Sequence, residues 1–282
     1  MSHPVTGIDH VYLLTGDLDR AAEQWKRLGF TVTPRGLHSA HKGTANHTMM
    51  LQNDYIELLG VLTPTEGNAF QRDKLAAQGE GLHAIACQIA DAQGAVDALA
   101  GLGIEAGPVG HFERPVDLPR GETGAAAFST AHFAAKEVPQ GTVFMCQHRT
   151  KPTVWVPEWM KHPNGASALG AVVVIAGDPA SMAPGYARLY ASGAVSDMPG
   201  GKRVETGTAP ILVLTAEAAA ARYPGLDVAA TPGGGFAALE IVADLDKAAS
   251  VLGGLATTLP HGLGVGPDSA TGAIVAFTDK RA

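Results

Sequence analysis

The feature that most constrains this chain is that it repeats itself. Gly7 to Leu14 reads GIDHVYLL, an apolar run with the alternation of a half-buried strand. Asp17 follows as an N-cap, and Leu18, Ala21, Ala22, Trp25 and Leu28 recur at helical spacing before Gly29 stops the helix. Strands are then expected at Phe30–Pro34, His47–Leu51 and Tyr55–Val61. This strand, helix and three strands return at Leu82, at Leu169 and at Phe236. Asp244-Leu245-Asp246-Lys247-Ala248-Ala249 nearly duplicates Asp17-Leu18-Asp19-Arg20-Ala21-Ala22. One βαβββ unit alone leaves a sheet face wet, so paired units curving around a cleft are the natural solution. The 282 residues are thus expected to form an α+β fold of four βαβββ modules in two domains, 1–154 and 155–282. The second domain begins with a linker at 155–168, where Trp155 and Trp159 are too apolar for a free tether. Pro108–Gly124, rich in proline and glycine, reads as a loop over a cleft.

Composition excludes more than it names. A net charge of −7 with no cluster of Lys and Arg argues against nucleic acid and anionic membranes as partners. No apolar run approaches a membrane span, and the start reads as neither a signal peptide nor a lipidation signal. Cys87 and Cys146 cannot make a disulfide framework, so a cytoplasmic setting is expected. Gly101-Leu102-Gly103 follows a helix and Gly233–Gly235 precedes a strand, so neither fits a phosphate loop.

Eleven histidines remain to be sorted. His10 stands seven residues before Asp17, and His83 stands seven before Ala90-Asp91. Glu57 sits mid-strand among apolar residues, where a lone carboxylate is costly unless paired or bound to metal. Two imidazoles and a carboxylate from separate strands make a set suited to Fe, Mn, Ni or Zn. Taken singly, each is more simply a hydrogen-bonded core residue; the matched placement favours the metal. The last strand of the second module, Phe144 to His148, would add a fourth ligand: Gln147 by register, or His148 one residue on. Cys146 is a poor nucleophile, since nothing places a base beside it.

Four such modules, a His on the first strand and the run Tyr55-Ile56-Glu57-Leu58-Leu59 resemble the vicinal oxygen chelate superfamily of glyoxalases, bleomycin-resistance proteins and extradiol dioxygenases. Gly43-Thr44-Ala45-Asn46-His47 and Cys146-Gln147-His148, with Trp155 and Pro157-Glu158-Trp159, are more narrowly similar to glyoxalase-like domain proteins. The resemblance implies curved mixed sheets and one divalent metal ion in a cup-shaped cleft, held by His10, Glu57, His83 and Gln147, with His148 as alternative. It also implies lyase, isomerase or dioxygenase chemistry on a small oxygenated substrate. Glu57 and His47 are the candidate catalytic residues, and Asn46, Tyr12, Tyr55 and His132 candidates for the substrate pocket. A ligand-sequestering resistance protein is the rival reading. A homodimer is one way to complete the cleft. In the second half, Ala171 and Ala237 stand where His is expected, so a second metal site is excluded.

Overall fold

The computed structural model describes residues 2–119, 121–231 and 234–282, so the glycine run at 233–235 falls partly outside the described residues. The first sheet comprises β1 (Gly7–Thr15), β2 (Gly36–Leu37), β3 (Thr44–Met50), β4 (Tyr55–Val61), β5 (Gly81–Gln88), β6 (Gly110–Asp117), β7 (Thr123–His132) and β8 (Thr142–His148). Their order is β2-β3-β4-β1-β5-β8-β7-β6. The second sheet repeats this as β10-β11-β12-β9-β13-β16-β15-β14. Its strands are β9 (Ala168–Ile175), β10 (Val195–Met198), β11 (Gly201–Val204), β12 (Ile211–Leu214), β13 (Ala238–Val242), β14 (Thr257–Leu259), β15 (Gly262–Val265) and β16 (Ile274–Thr278). In each sheet the two central strands run antiparallel, and each also pairs in parallel with the last strand of its own module. The fold is α+β, built of two curved mixed sheets.

Each module's helix starts where an aspartate satisfies its free amides. Asp17 accepts from Arg20 N at 3.0 Å in α1 (Leu18–Arg27). Two helices follow, α2 (Ala69–Gln78) and α3 (Ala92–Gly101), and Asp91 caps the latter. Asp178 caps α4 (Pro179–Ala187); α5 (Ala216–Arg222) comes next, and Asp244 caps α6 (Leu245–Leu252). Each such cap stabilises a helix by about 1 kcal/mol.

Two expectations need correction. Phe30–Pro34 is not a strand; Pro34 has no N–H to give a ladder, and only Gly36–Leu37 pairs beyond it. Within Pro108–Gly124, Gly110–Asp117 is an edge strand rather than loop. An edge tolerates Pro115, because one side of its backbone needs no partner.

The outer faces of both sheets, with their helices, merge into one core that draws Trp25, Leu99, Tyr186, Phe236 and Phe277 from both halves of the chain. The halves are also stitched by hydrogen bonds. Thr208 Oγ1 accepts from Ile8 N at 2.7 Å and donates to Ile8 O at 3.2 Å. Gly7 permits that approach, since a Cβ there would lie 2.5 Å from Thr208 Cγ2. Asp54 Oδ1 accepts from Leu169 N at 2.9 Å. The concave faces stay separate: Val154, Val156 and Trp159 pack with Tyr12, Tyr55 and Phe144 on the first, while Val173, Leu212 and Tyr223 line the second.

Candidate active site in the first concave face

The site begins with a bulge. Ile8 pairs with Cys87 and His10 with Ala86, so Asp9 is an extra residue in β1. Its buried carboxylate accepts from both imidazoles: Oδ1 lies 2.6 Å from His10 Nδ1 and 2.9 Å from His148 Nε2. Burial pushes the Asp9 pKa up, but these two hydrogen bonds outweigh it and hold the group at about 2. An ionised carboxylate can only accept, so His10 Nδ1 carries a proton, and in the neutral ring Nε2 keeps its lone pair. That Nε2 faces Glu57 Oε2 across 3.7 Å. His10 is further fixed by stacking on Tyr55, with ring centroids 4.2 Å apart.

Glu57 lies on β4 directly opposite Tyr12. Its Oε1 accepts from Asn46 Nδ2 at 2.7 Å. Burial, reinforced by the Glu57 charge, pushes the Tyr12 phenol up, so its hydroxyl stays a neutral donor. The cavity has a volume of about 360 Å³. His10, Glu57, Asn46, Tyr12, Tyr55 and His132 all line it, so these six residues named from the sequence come together. Lys42, Arg114, His38 and Phe112 line it as well. Burial lowers His38 to about 4, which keeps it neutral near pH 7.

Three residues do not join them. Tyr12 pairs with Ala84 and Leu13 with Leu82, so His83 is itself the extra residue of a bulge in β5. Its ring turns away, with Nε2 2.8 Å from Gly79 O, and burial lowers its pKa. The true counterpart of His10 is Ala84, seven residues before the cap Asp91. The sequence count had ended on Ala90, and one residue of slip moves a side chain to the other face. Gln147 likewise faces outward: its Oε1 accepts from Ala92 N at 3.1 Å and its Nε2 donates to Ala90 O at 2.9 Å. His148, the alternative, is the one that reaches the site, through Asp9. His47 alternates with Asn46 along β3, and its Nδ1 donates to Thr33 O at 2.7 Å outside the cavity.

The four-ligand centre implied by the resemblance is therefore not assembled. Glu57 pairs with Tyr12, and at the matching place in the second module Phe144 pairs with Ala86. Ala84 and Phe144 thus occupy two of the four inward positions and offer no donor atom. A different group does converge: Asp9, His10, Cys146 and His148 each bring one ligand atom within 4.8 Å of the others and could hold a metal ion. The Cys146 thiol is pushed well up by burial and by Asp9 and Glu57, so it is no ready nucleophile.

Sequence reasoning missed Asp9, Lys42 and Arg114; His38, which the sequence offers either as an acid/base candidate or as part of a polar surface turn, lines the cavity. Asp9 had a readable signal, an acid beside a histidine inside an apolar strand. Arg114 has none, because the prolines and glycines of Pro108–Gly124 mask its edge strand.

The chain matches the family model described as a glyoxalase-like domain over residues 8–190 and belongs to that family. Its fold is that of the vicinal oxygen chelate superfamily. Among solved structures it is similar to a hypothetical protein from Staphylococcus aureus, with a TM-score of 0.68 and 13% identity over 96% of this chain and 98% of that one. It is similar also to a xylose isomerase-like TIM barrel/4-hydroxyphenylpyruvate dioxygenase fusion protein, at TM-score 0.54 and 15% identity over 92% of this chain and 40% of that one. Methylmalonyl-CoA epimerase from Mycobacterium tuberculosis matches at TM-score 0.40 and 17% identity over 55% of this chain and 95% of that one. No curated protein matches. Among the described residues, no helix is long and apolar enough to cross a membrane.

Proposed function

We propose that this protein is an enzyme that moves a proton on a small oxygenated organic compound, a reaction of the isomerase or lyase type. The observation that carries the reading is the His10 ring, held at Nδ1 by Asp9 at 2.6 Å and facing the Glu57 carboxylate with Nε2 across 3.7 Å at the cavity base. A ring nitrogen and a carboxylate oxygen set face to face can exchange a proton between them. His10 Nε2 takes that proton from a carbon next to a substrate carbonyl, and Asp9 stabilises the imidazolium that forms. Glu57, steered by Asn46, shares the proton and returns it. The neutral hydroxyl of Tyr12 donates toward the oxygen on which charge develops. A ligand-sequestering protein has no need of an ionisable pair at its cavity base, and this favours the enzyme.

The test is exchange of substrate hydrogen for deuterium in D2O, followed by NMR on a panel of small 2-oxo acids and 1,3-dicarbonyl compounds. Exchange above background, lost in His10→Asn and in Glu57→Gln, is expected. No exchange on any member of the panel, or a His10 ring found by ¹⁵N NMR with its proton on Nε2 in the neutral form, would sink the reading.

A second reading rests on Asp9, His10, Cys146 and His148. One carboxylate, two imidazoles and a thiolate suit zinc better than manganese, and four protein ligands make a closed centre. A metal bound there would supply a fixed positive charge beside the cavity. Metal analysis of untagged protein purified without chelator separates the two readings. About one equivalent, lost in His148→Ala, supports this one; less than about a tenth of an equivalent removes it.

A further inference from the structure

The cavity walls say more about the compound than its base does. Arg114 projects inward from edge strand β6, and its guanidinium makes no hydrogen bond and no ion pair with any described residue; its Nε is buried without a partner. It lies over Gly36, where a Cβ would stand 2.4 Å from Arg114 Cζ and 2.5 Å from Asn46 Oδ1. The glycine therefore makes the room that the guanidinium fills. Asn46 Oδ1 is also buried without a partner, while its Nδ2 is given to Glu57. Arg114, Asn46, Glu57 and His10 thus form one row across the cavity.

Lys42 stands over the Phe112 ring at 3.5 Å from its centroid and has no acid within ion-pair distance among the described residues. Phe112 in turn stacks on Phe128 with centroids 5.0 Å apart. Two cations therefore meet a single carboxylate, Glu57, and His38, which lines the same cavity, is neutral near pH 7. Burial lowers the pKa of Arg114 as of Lys42, and in both Glu57 is what works against it. A half-buried guanidinium whose Nε is enclosed without an acceptor is costly unless an anion completes it.

We infer that the compound bound here carries an oxyanion head group, received by Arg114 and Lys42, on a ring-sized apolar body that lies against the aromatic wall. The inference rests on the same cavity as the proton-transfer reading and supplies its substrate class. The head group sits at the Arg114 end of the row, which leaves the reacting carbon at the His10 end.

The test is binding by calorimetry to the full chain, with benzoate, phenylphosphonate and neutral benzamide as probes. Benzoate or phenylphosphonate should bind about tenfold or more tightly than benzamide, and whichever is tighter tells a carboxylate head from a phosphonate-like one. Arg114→Gln should erase most of that preference, Lys42→Met part of it, and Arg114→Lys should restore some. The preference in the unaltered protein needs no variant and should shrink as salt rises. Benzamide binding as tightly as both anions, or a preference unchanged in Arg114→Gln and Lys42→Met, overturns the inference. Benzoate affinity is read without turnover, so it does not depend on deuterium exchange. Failure of proton transfer therefore leaves the anion site standing, and loss of anion preference leaves the proton-transfer chemistry to be judged by exchange alone.

Discussion

The two concave faces share a scaffold and differ in how they treat polar groups. On the second face Glu240 is fully buried, and every partner it needs is in place. Arg222 binds it at 2.6 and 2.9 Å and the Tyr223 hydroxyl donates at 2.7 Å; His261 Nε2 lies 3.4 Å away and is the one atom of this group without a hydrogen bond among the described residues. Burial raises its pKa, but His261 and Arg222 together outweigh this and hold it at about 2. The first face leaves polar atoms open: His10 Nε2 faces a carboxylate, and Arg114 Nε and Asn46 Oδ1 have no partner. A satisfied network holds a fold together; an unsatisfied one around a cavity waits for a ligand. The contrast is the reason the proposed chemistry is placed in the first half.

The strongest way to break the contrast is to separate the halves. Because their outer faces make one core, residues 1–154 expressed alone should lack a cooperative thermal transition. A sharp transition would show that the first half stands by itself. Next come the two acids. Glu240→Gln should lower unfolding free energy by about 3 kcal/mol in denaturant titrations, leaving deuterium exchange intact. Glu57→Gln should do the reverse, cutting exchange about a hundredfold or more while costing under about 2 kcal/mol of stability.

Asp9→Asn sharpens the comparison within the first face. The ¹⁵N spectrum of His10 should lose its fixed Nδ1 proton, and exchange should fall about a hundredfold or more. An unchanged tautomer would put the fixing elsewhere. The pH dependence of stability is a smaller effect. Asp9 and Glu240 sit at about 2, below their ordinary values of 3.8 and 4.5, so each stabilises the fold above pH 4.5 and loses that contribution as pH falls toward 2. Asp54, at the seam, runs the other way. Burial raises it to about 6 against the Leu169 hydrogen bond, so its contribution is full below 3.8 and lost as pH rises through 6. Asp54→Asn should therefore raise Tm by a few degrees at pH 8 and scarcely at pH 4.

Much of the fold was legible because repetition is a coarse signal. Four aspartates at matching places cap the four module helices, and Tyr55–Val61 is a strand with the expected limits. The short strands β10, β11, β14 and β15 were not legible, since three or four residues carry no measurable period. The site was half legible for a sharper reason. His10 and Glu57 lie on regular strand, where alternation can be counted. Asp9 and His83 lie in bulges, where one extra residue breaks the count. Bulges are set by pairing across the sheet, which no single strand's sequence displays.

Thr208 belongs to the half outside the proposed site, yet it clasps the backbone of Ile8, one residue before the bulge that aims Asp9. The second half is thus a splint for its neighbour's geometry. A screen for variants that lose the proposed exchange should return positions around Thr208 outside the cavity, and a gene shortened to residues 1–154 would lose the grip that sets the imidazole.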